Sequence, residues 1–239
     1  VGAGIVGLKL ARHLAQYGLS VAVLEGTSIG DQAASARNQG CLQRVVGDYI
    51  AMGDDAAPME RLGLENRRMI REQIAQYGIE CDLLETHECS LICSDTPDSE
   101  QLLSAYRAEA AARQADGFSC HYMEQEEARA KGAGGHENGL YIGGICHDGD
   151  MAATFHSGKY LFGLARGVGA TDGVEFYEHA RVVSIADSSD GVTLTTATGR
   201  TVAAAHGFIA TNACVPQFVP RLADCLRAER GQMAVTEPL

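Results

Sequence analysis

The chain opens with a glycine-rich turn whose spacing limits what it can fold into. Gly2, Gly4 and Gly7 form a GxGxxG pattern, and residues 8–18 carry apolar side chains at helical spacing. The next segment, LSVAVLEG, is rich in β-branched residues and ends in an acid, Glu25. A glycine turn that opens a helix and is followed by a strand ending in an acid predicts a βαβ unit that binds a dinucleotide.

Each part of this motif has a physical reason. Gly2 permits the tight turn, Gly4 lets the backbone approach a pyrophosphate, and Gly7 allows the helix to pack closely on the strand. The pyrophosphate then lies on the helix N-terminus, where free N–H groups and the helix dipole favour negative charge. We expect Glu25 to accept hydrogen bonds from ribose hydroxyls and to disfavour the 2′-phosphate of NADP. The motif alone does not choose between FAD and NAD.

The first strand of such a unit should precede Gly2, and only Val1 stands there. We therefore expect the sequence to begin inside that strand. Pro216 and the residues after it run to TEPL without a clear terminating element, so we expect truncation at this end too.

Composition excludes several other classes of protein. The net charge is −12, from 19 basic and 31 acidic residues, which disfavours nucleic acid or an anionic membrane as a partner. No apolar run approaches the roughly 18 residues of a membrane span, and the N-terminus lacks a signal-peptide pattern. Eight cysteines occur without a CxxC pair or zinc-finger spacing. We expect a cytoplasmic protein with reduced thiols and no metal site.

Periodicity predicts alternating helices and strands after Glu25. Helices are expected near residues 59–77, 98–116 and 152–168. Residues 134–150 are glycine-rich and predict turns mixed with short strands. Strand-like segments are expected at residues 81–94, 173–187, 191–199 and 200–213.

The long insertion between Glu25 and the helix expected at residue 152 is unlike the regular βα units of an NAD dehydrogenase. Here the sequence resembles the FAD-dependent oxidoreductases of the D-amino acid oxidase superfamily, which includes glycine oxidase, sarcosine oxidase and γ-glutamylputrescine oxidase. The matching stretches, in order, are VGAGIVGLKLARHLAQYG, VLEG, ASARNQG, GVEFYEHARVVSI and TGRTVAAAHGFIATNA. The closing RGQMAVTEPL resembles the strand that re-enters the substrate domain in this family.

This resemblance implies an α/β fold in which a Rossmann-like FAD-binding domain is interleaved with an antiparallel-sheet α+β substrate domain. The FAD-binding domain is expected at residues 1–45 and 147–214, and the substrate domain at residues 46–146 and 215–239. The family's second cofactor segment, near its C-terminus, has no match in this sequence.

The resemblance also implies FAD as the cofactor and assigns residues to its parts. The glycines of the turn would hold the pyrophosphate, Glu25 the adenosine ribose, and the backbone of Val182 the adenine. The remaining implied contacts are with the pyrophosphate and the flavin ring, from Ser35, Arg37, Asn38, Gln39, Gly40, Ala210 and Thr211.

The implied activity is oxidation of the C–N bond of a small amine or amino acid by hydride transfer to N5 of the flavin. Two alternatives stay open: an FAD-dependent 2-hydroxy-acid dehydrogenase, and an incomplete flavoprotein without turnover. Arg44 and His147 are candidates for catalysis, followed by Tyr49 and Tyr141, and none is singled out. The sequence leaves the substrate, the electron acceptor and the oligomeric state open.

Overall fold

The structure is a computed structural model that describes residues 1–43, 46–132, 140–229 and 231. In these ranges the α-helices α1–α5 span Ile5–Gln16, Ala56–Tyr77, Ser99–Ala115, Gln125–Lys131 and Ser157–Gly169. The strands β1–β9 span Val21–Leu24, Cys41–Leu42, Leu84–Cys93, Cys120–Met123, Tyr141–Thr154, Val174–Tyr177, Val182–Ser188, Gly191–Thr196 and Thr201–Ala204. None of the described helices is long and apolar enough to cross a lipid bilayer.

Contacts along the chain divide it into two compact units, and one of the four boundaries between them falls within α2. The first unit comprises Val1–Gly40, Gln73–Cys81 and His156–Leu239. The second unit comprises Cys41–Glu72 and Asp82–Phe155. The sequence-based domain boundaries divide the chain differently and stay a prediction.

The first unit contains a parallel strand pair, one member of which is the strand that the glycine motif predicts before Glu25. Strand β1 pairs in parallel with β6, with Val21 opposite Val174 and Leu24 opposite Tyr177. Helix α5 leads into β6, and α1 packs on β1. A helical connection between parallel strands defines an α/β arrangement, which confirms the predicted fold class.

An antiparallel meander of β7, β8 and β9 completes the first unit. The sequence predicts one strand over residues 173–187, but the chain turns between β6 and β7, where His179 adopts a φ of +54°. Val182 and Leu194 of the meander are buried against Leu24 at the end of β1. This apolar cluster fixes the start of β7 beside the end of β1.

The second unit is an antiparallel sheet built around β5. Strand β3 pairs along most of one edge of β5, while β2 and β4 pair with its two ends on the other edge. Helices α3 and α4 pack on this sheet. The result matches the antiparallel substrate domain implied by the family resemblance.

Two local predictions in this region are wrong. Within the described residues, the short strands expected before residue 150 are one long strand, β5, Tyr141–Thr154. Because Ala152 and Ala153 pair with β3, the following helix begins only at Ser157, and His156 accepts the Lys159 N–H at 3.3 Å as its cap. Local apolar spacing could not show this pairing, since its partners lie more than 60 residues earlier.

Two cysteines contradict the expectation of reduced thiols throughout. Cys89 on β3 lies directly opposite Cys146 on β5, with Cα atoms 4.2 Å apart, and their sulfur atoms form a disulfide. The six other cysteines form no disulfide. The stretch RGQMAVTEPL lies, apart from Gly231, outside the described residues.

Candidate cofactor-binding site

A cleft of about 950 Å³ lies in the first unit, at the carboxyl end of β1. Its walls are formed by the glycine turn, the loop after β1, the start of β7 and the segment from Ile209 to Phe218. In parallel α/β sheets, ligands bind outside the carboxyl ends of the strands. The cleft is therefore where a dinucleotide site is expected.

Gly2 and Gly7 are glycines because the chain itself leaves no room for a side chain. Gly2 has a φ of +100°, and a Cβ atom there would lie 2.6 Å from the carbonyl oxygen of Ala210. A Cβ atom on Gly7 would overlap the carbonyl oxygen of Gly2. These two positions agree with the predicted roles of tight turn and close helix packing.

Gly4 is different, because its backbone is compatible with any residue. Its φ is −72° and its ψ is −178°, and within 4 Å a Cβ atom there would meet only the Ser35 Oγ, at 3.3 Å. The missing side chain therefore opens a point on the wall of the cleft. This is the position at which the motif needs space for a pyrophosphate.

The N-terminus of α1 faces the same space. The Ile5 N–H donates to the Ser35 Oγ at 3.1 Å, and Ile5, Val6 and Ser35 all line the cleft. Gly4 caps the helix without a side-chain hydrogen bond. Since first-turn N–H groups have no partners within a helix, this end can bind an anion.

Glu25 is oriented by the backbone around it. Its Oε2 accepts the Ala3 N–H at 2.9 Å, and its Oε1 accepts the Thr27 N–H at 3.1 Å. The Thr27 hydroxyl also lies 3.4 Å from Oε1. A carboxylate has roughly four acceptor positions, so Glu25 retains capacity for a ribose hydroxyl.

The wall next to the glycine turn carries a hydroxyl that has no hydrogen-bond partner among the described residues. The Ala210 N–H donates to the Val1 carbonyl at 2.8 Å, which ties this wall to the glycine turn. The Thr211 Oγ1 is buried and has no hydrogen-bond partner within the described part of the chain. An unsatisfied buried hydroxyl costs about 1–3 kcal/mol, so a polar ligand in the cleft would relieve this cost.

The structure brings together most of the residues that the sequence assigned to the cofactor. Those that line the cleft are Gly2, Gly4, Glu25, Ser35, Val182, Ala210 and Thr211. Gly7 packs behind the turn.

The remaining assigned residues, Arg37 to Gly40, are not among those that line the cleft. Arg37 forms an exposed ion pair with Asp31 at 3.4 Å. Asn38 shapes its own loop, since its Oδ1 accepts the Gly40 N–H at 2.8 Å. Gln39 is exposed beside it. Contact of these four residues with a cofactor stays a prediction.

None of the catalytic candidates that the structure describes lines this cleft. Arg44 lies outside the described residues, and His147 lies on β5 of the second unit, opposite Glu88 and Cys120. Tyr141 begins the same strand and packs on its apolar cluster.

Tyr49 has a structural role in the second unit. Its hydroxyl donates to the Asp116 Oδ2 at 2.7 Å, and burial together with this hydrogen bond raises the pKa of Tyr49 to about 12. The phenol therefore stays protonated at neutral pH and serves packing.

Sequence reasoning missed several residues of the cleft. Thr27, Arg181 and Gln217 line it as well. Arg181 directly precedes Val182, so its proximity to the adenine position implied by the resemblance was a usable signal. Gln217 lies on a 3₁₀ helix, Asn212–Gln217, that no local pattern announced.

A comparison with known families identifies the family of the chain. The family described as "FAD dependent oxidoreductase" (DAO) matches residues 1–239, and the chain belongs to this family.

Two curated relatives are similar over part of their length. The probable oxidoreductase OrdL of Haemophilus influenzae is 26% identical over 221 residues, which cover 90% of this chain and 48% of the relative. The γ-glutamylputrescine oxidoreductase of Escherichia coli is 41% identical over 88 residues, which cover 34% of this chain and 20% of the relative. The chain thus spans about half the length of the first relative.

Solved structures show the same fold. Glycine oxidase from Geobacillus kaustophilus superposes with a TM-score of 0.71 at 23% identity, covering 92% of this chain and 56% of that one. L-amino acid deaminase from Proteus vulgaris superposes with a TM-score of 0.70 at 19% identity, covering 92% and 48%. These likenesses confirm the predicted fold and say nothing further about the reaction.

Proposed function

We propose that the protein containing this chain oxidises the C–N bond of a small amine or amino acid, with FAD bound in the cleft of the first unit. The observation that carries the proposal is the open wall at Gly4, in a cleft that Glu25 and Thr211 also line. A dinucleotide can fill the opening over the helix N-terminus with its pyrophosphate. It can also form hydrogen bonds with the oriented acid and with the hydroxyl that has no partner in the described chain.

Different residues of this chain would bind different parts of FAD. The first turn of α1 and the open backbone at Gly4 would hold the pyrophosphate. The Thr211 Oγ1 would donate to the same part of the cofactor and would thereby gain a hydrogen-bond partner. Glu25, held by Ala3 and Thr27, would accept a ribose hydroxyl.

The chemistry that FAD supplies when bound is acceptance of a hydride, at N5 of its ring, from the carbon next to the substrate nitrogen. The protein's part in such a reaction is orientation and exclusion of water. A dedicated protein base is not required if the amine arrives neutral. The residues that hold the substrate are therefore not assigned to this chain.

The choice of an amine over a 2-hydroxy acid is supported by the relatives. Among them, the γ-glutamylputrescine oxidoreductase, 41% identical over 88 residues, has the name of an enzyme that acts on a nitrogen compound. No observation on the described residues favours the hydroxy acid.

The test is flavin reduction under nitrogen. The purified protein is loaded with FAD, desalted and mixed with amino acids and primary amines in one series and 2-hydroxy acids in another. Bleaching of the visible flavin bands by a nitrogen substrate is the expected result. Bleaching by 2-hydroxy acids alone, or by neither series in a protein that retains flavin, would overturn the proposal.

A further inference from the structure

The cleft of the first unit carries one basic side chain. Among the described residues that line it, only Glu25 and Arg181 have charged side chains. The chain as a whole has a net charge of −12, so a cation here is not a consequence of a basic surface. Its presence in the cleft calls for a local explanation.

The backbone of Arg181 is held firmly in place. Its carbonyl oxygen accepts the Ala197 N–H at 2.7 Å, which joins it to the β7–β8 hairpin. The next residue, Val182, is buried in the cluster with Leu24 and Leu194. Because this backbone is fixed, the fold restricts the positions that the Arg181 side chain can reach.

The stem of Arg181 lies over the residue that follows Glu25. Its Cβ and Cγ atoms are each 3.6 Å from the point that a Cβ atom on Gly26 would occupy. Gly26 and Arg181 therefore lie together in the lining of the cleft, and Gly26 directly follows Glu25 in the chain.

Nearby acids are used elsewhere. Glu25 accepts N–H groups from Ala3 and Thr27, and Glu178 accepts the Ile29 N–H. Within the described part of the chain, the Arg181 guanidinium forms no ion pair and no hydrogen bond. It is thus available to a ligand.

The expected path of the cofactor decides which part of it this guanidinium meets. With the pyrophosphate at the glycine turn and a ribose at Glu25, the adenine lies beyond Glu25, towards Gly26 and Arg181. The phosphates have the N-terminus of α1 and need no arginine. A planar guanidinium stacks well on an aromatic face.

We propose that Arg181 lies against the adenine of the bound FAD and makes the cleft selective for the adenine base. This inference rests on the FAD site proposed above. It assigns to a side chain a contact that the family resemblance gave only to the backbone of Val182.

The test measures FAD binding by quenching of flavin fluorescence, with ADP and UDP as competitors. These competitors share the ribose and the diphosphate and differ only in the base. We expect ADP to compete better than UDP in the wild type. In Arg181→Ala the Kd for FAD should rise by about 2- to 30-fold, and the preference for ADP should be lost.

Two further variants separate the possible causes. Arg181→Lys keeps the positive charge but lacks the planar guanidinium, so it should lose the preference for ADP over UDP as Arg181→Ala does. Arg200→Ala, an exposed arginine on the β8–β9 turn outside the cleft, should bind FAD like the wild type. A thermal melt of each variant confirms that it is folded.

The outcomes are distinguishable. A folded wild type that does not bind FAD contradicts the proposed function itself. Three results would overturn the role of Arg181 at the base. Arg181→Ala could bind FAD with wild-type affinity, or ADP and UDP could compete equally in the wild type. The third is that Arg181→Ala loses affinity for ADP and for UDP by the same factor.

Discussion

A cleft in the first unit and a buried cluster in the second place polar side chains in different surroundings. In the first unit, Glu25, Arg181 and Thr211 line a cleft, and the Thr211 hydroxyl is left without a partner. In the second unit, Arg113 is 1% exposed, yet its Nε bonds to Glu109 at 2.9 Å and its Nη1 to Glu60 at 3.1 Å. The cleft presents its polar groups to a ligand, and the buried cluster uses its polar groups inside the fold.

The buried cluster of the second unit shows how completely such groups can be used. The Arg113 Nη2 donates to the Val46 carbonyl at 2.8 Å, and its guanidinium lies 4.3 Å from the centre of the Tyr49 ring. Arg67 shares Glu60 at 3.2 Å. A buried guanidinium whose three nitrogens all have partners indicates a structural role, because loss of a partner would leave a charge unpaired in the core.

Two orphaned groups in the second unit, the Arg67 Nε and the Tyr122 hydroxyl, do not contradict this difference. Neither residue lines the cleft of the first unit. Arg67 retains its ion pair with Glu60, and the Tyr122 ring is covered by Arg107 at 4.4 Å. An orphaned polar atom therefore points to a ligand only where a cleft gives the ligand room.

The largest effect is expected from breaking the buried cluster. Arg113→Met leaves the carboxylates of Glu60 and Glu109 without their shared cation, so the free energy of unfolding should fall by about 3–5 kcal/mol. Urea denaturation followed by circular dichroism measures it. Arg107→Met, at an exposed ion pair with Glu124, is the matched control and should cost less than about 1 kcal/mol. Equal losses in the two variants would show that the cluster is not a structural element.

The next effect concerns the disulfide that ties β3 to β5 in the second unit. Its closure over a sequence separation of 57 residues should stabilise the fold by about 2–4 kcal/mol, a contribution lost on reduction. Unfolded without reductant, the protein should show six reactive thiols out of eight cysteines. Cys93→Ser should leave the effect of reduction unchanged, whereas Cys89→Ser should abolish it. Eight reactive thiols in the isolated protein would restore the expectation of reduced cysteines.

Substitutions at two glycines of the first unit should affect stability and FAD binding separately. Gly7→Ala forces its new methyl group onto the Gly2 carbonyl and should cost about 1–3 kcal/mol of stability. Gly4→Ala meets only Ser35 and should fold normally, within about 1 kcal/mol, but should bind FAD at least about 10-fold more weakly. Melting curves and fluorescence titrations measure the two effects. Wild-type FAD affinity in Gly4→Ala would remove the argument that its missing side chain makes room for the cofactor.

The smallest effect is a pH dependence of the second unit. Hydrogen bonds from His121 to Asp148 and to Glu127 raise the pKa of this histidine, so its protonated form is favoured by the fold. The stabilisation is complete below the pKa of the unfolded chain and is lost as the pH rises through the folded pKa. Because His121 is one-third exposed, it should amount to less than about 1 kcal/mol.

Urea midpoints at about pH 6 and about pH 8 test this dependence. The wild type should lose stability between these two values, and His121→Gln should lose less. His206→Gln, an exposed histidine of the first unit, should follow the wild type. A wild-type pH profile in His121→Gln would show that the pair of carboxylates does not hold this proton.

The sequence predicted the parts of the fold whose cause is local. The spacing of Gly2, Gly4 and Gly7 and the acid at Glu25 follow from one turn and one helix end, and the structure brings three of these four residues to one cleft. The ends of α2 and α3 followed from periodicity and from the glycines that stop them.

The parts that could not be predicted depend on distant partners. Glu60 and Arg113 pair across 53 positions, and nothing near either residue announces the other. The last residues of β5 look helical by composition and become a strand because β3 lies beside them. Arg181 lies at the cleft only because a buried valine and a hairpin place it there.

The measurement that tests the central claim most directly is a titration of the purified, folded chain with FAD, and in parallel with ADP. The cleft at the glycine turn predicts saturable binding of both by the wild type and a clear weakening of both in Gly4→Ala. A folded chain that binds neither FAD nor ADP would contradict the assignment of this cleft as the cofactor site.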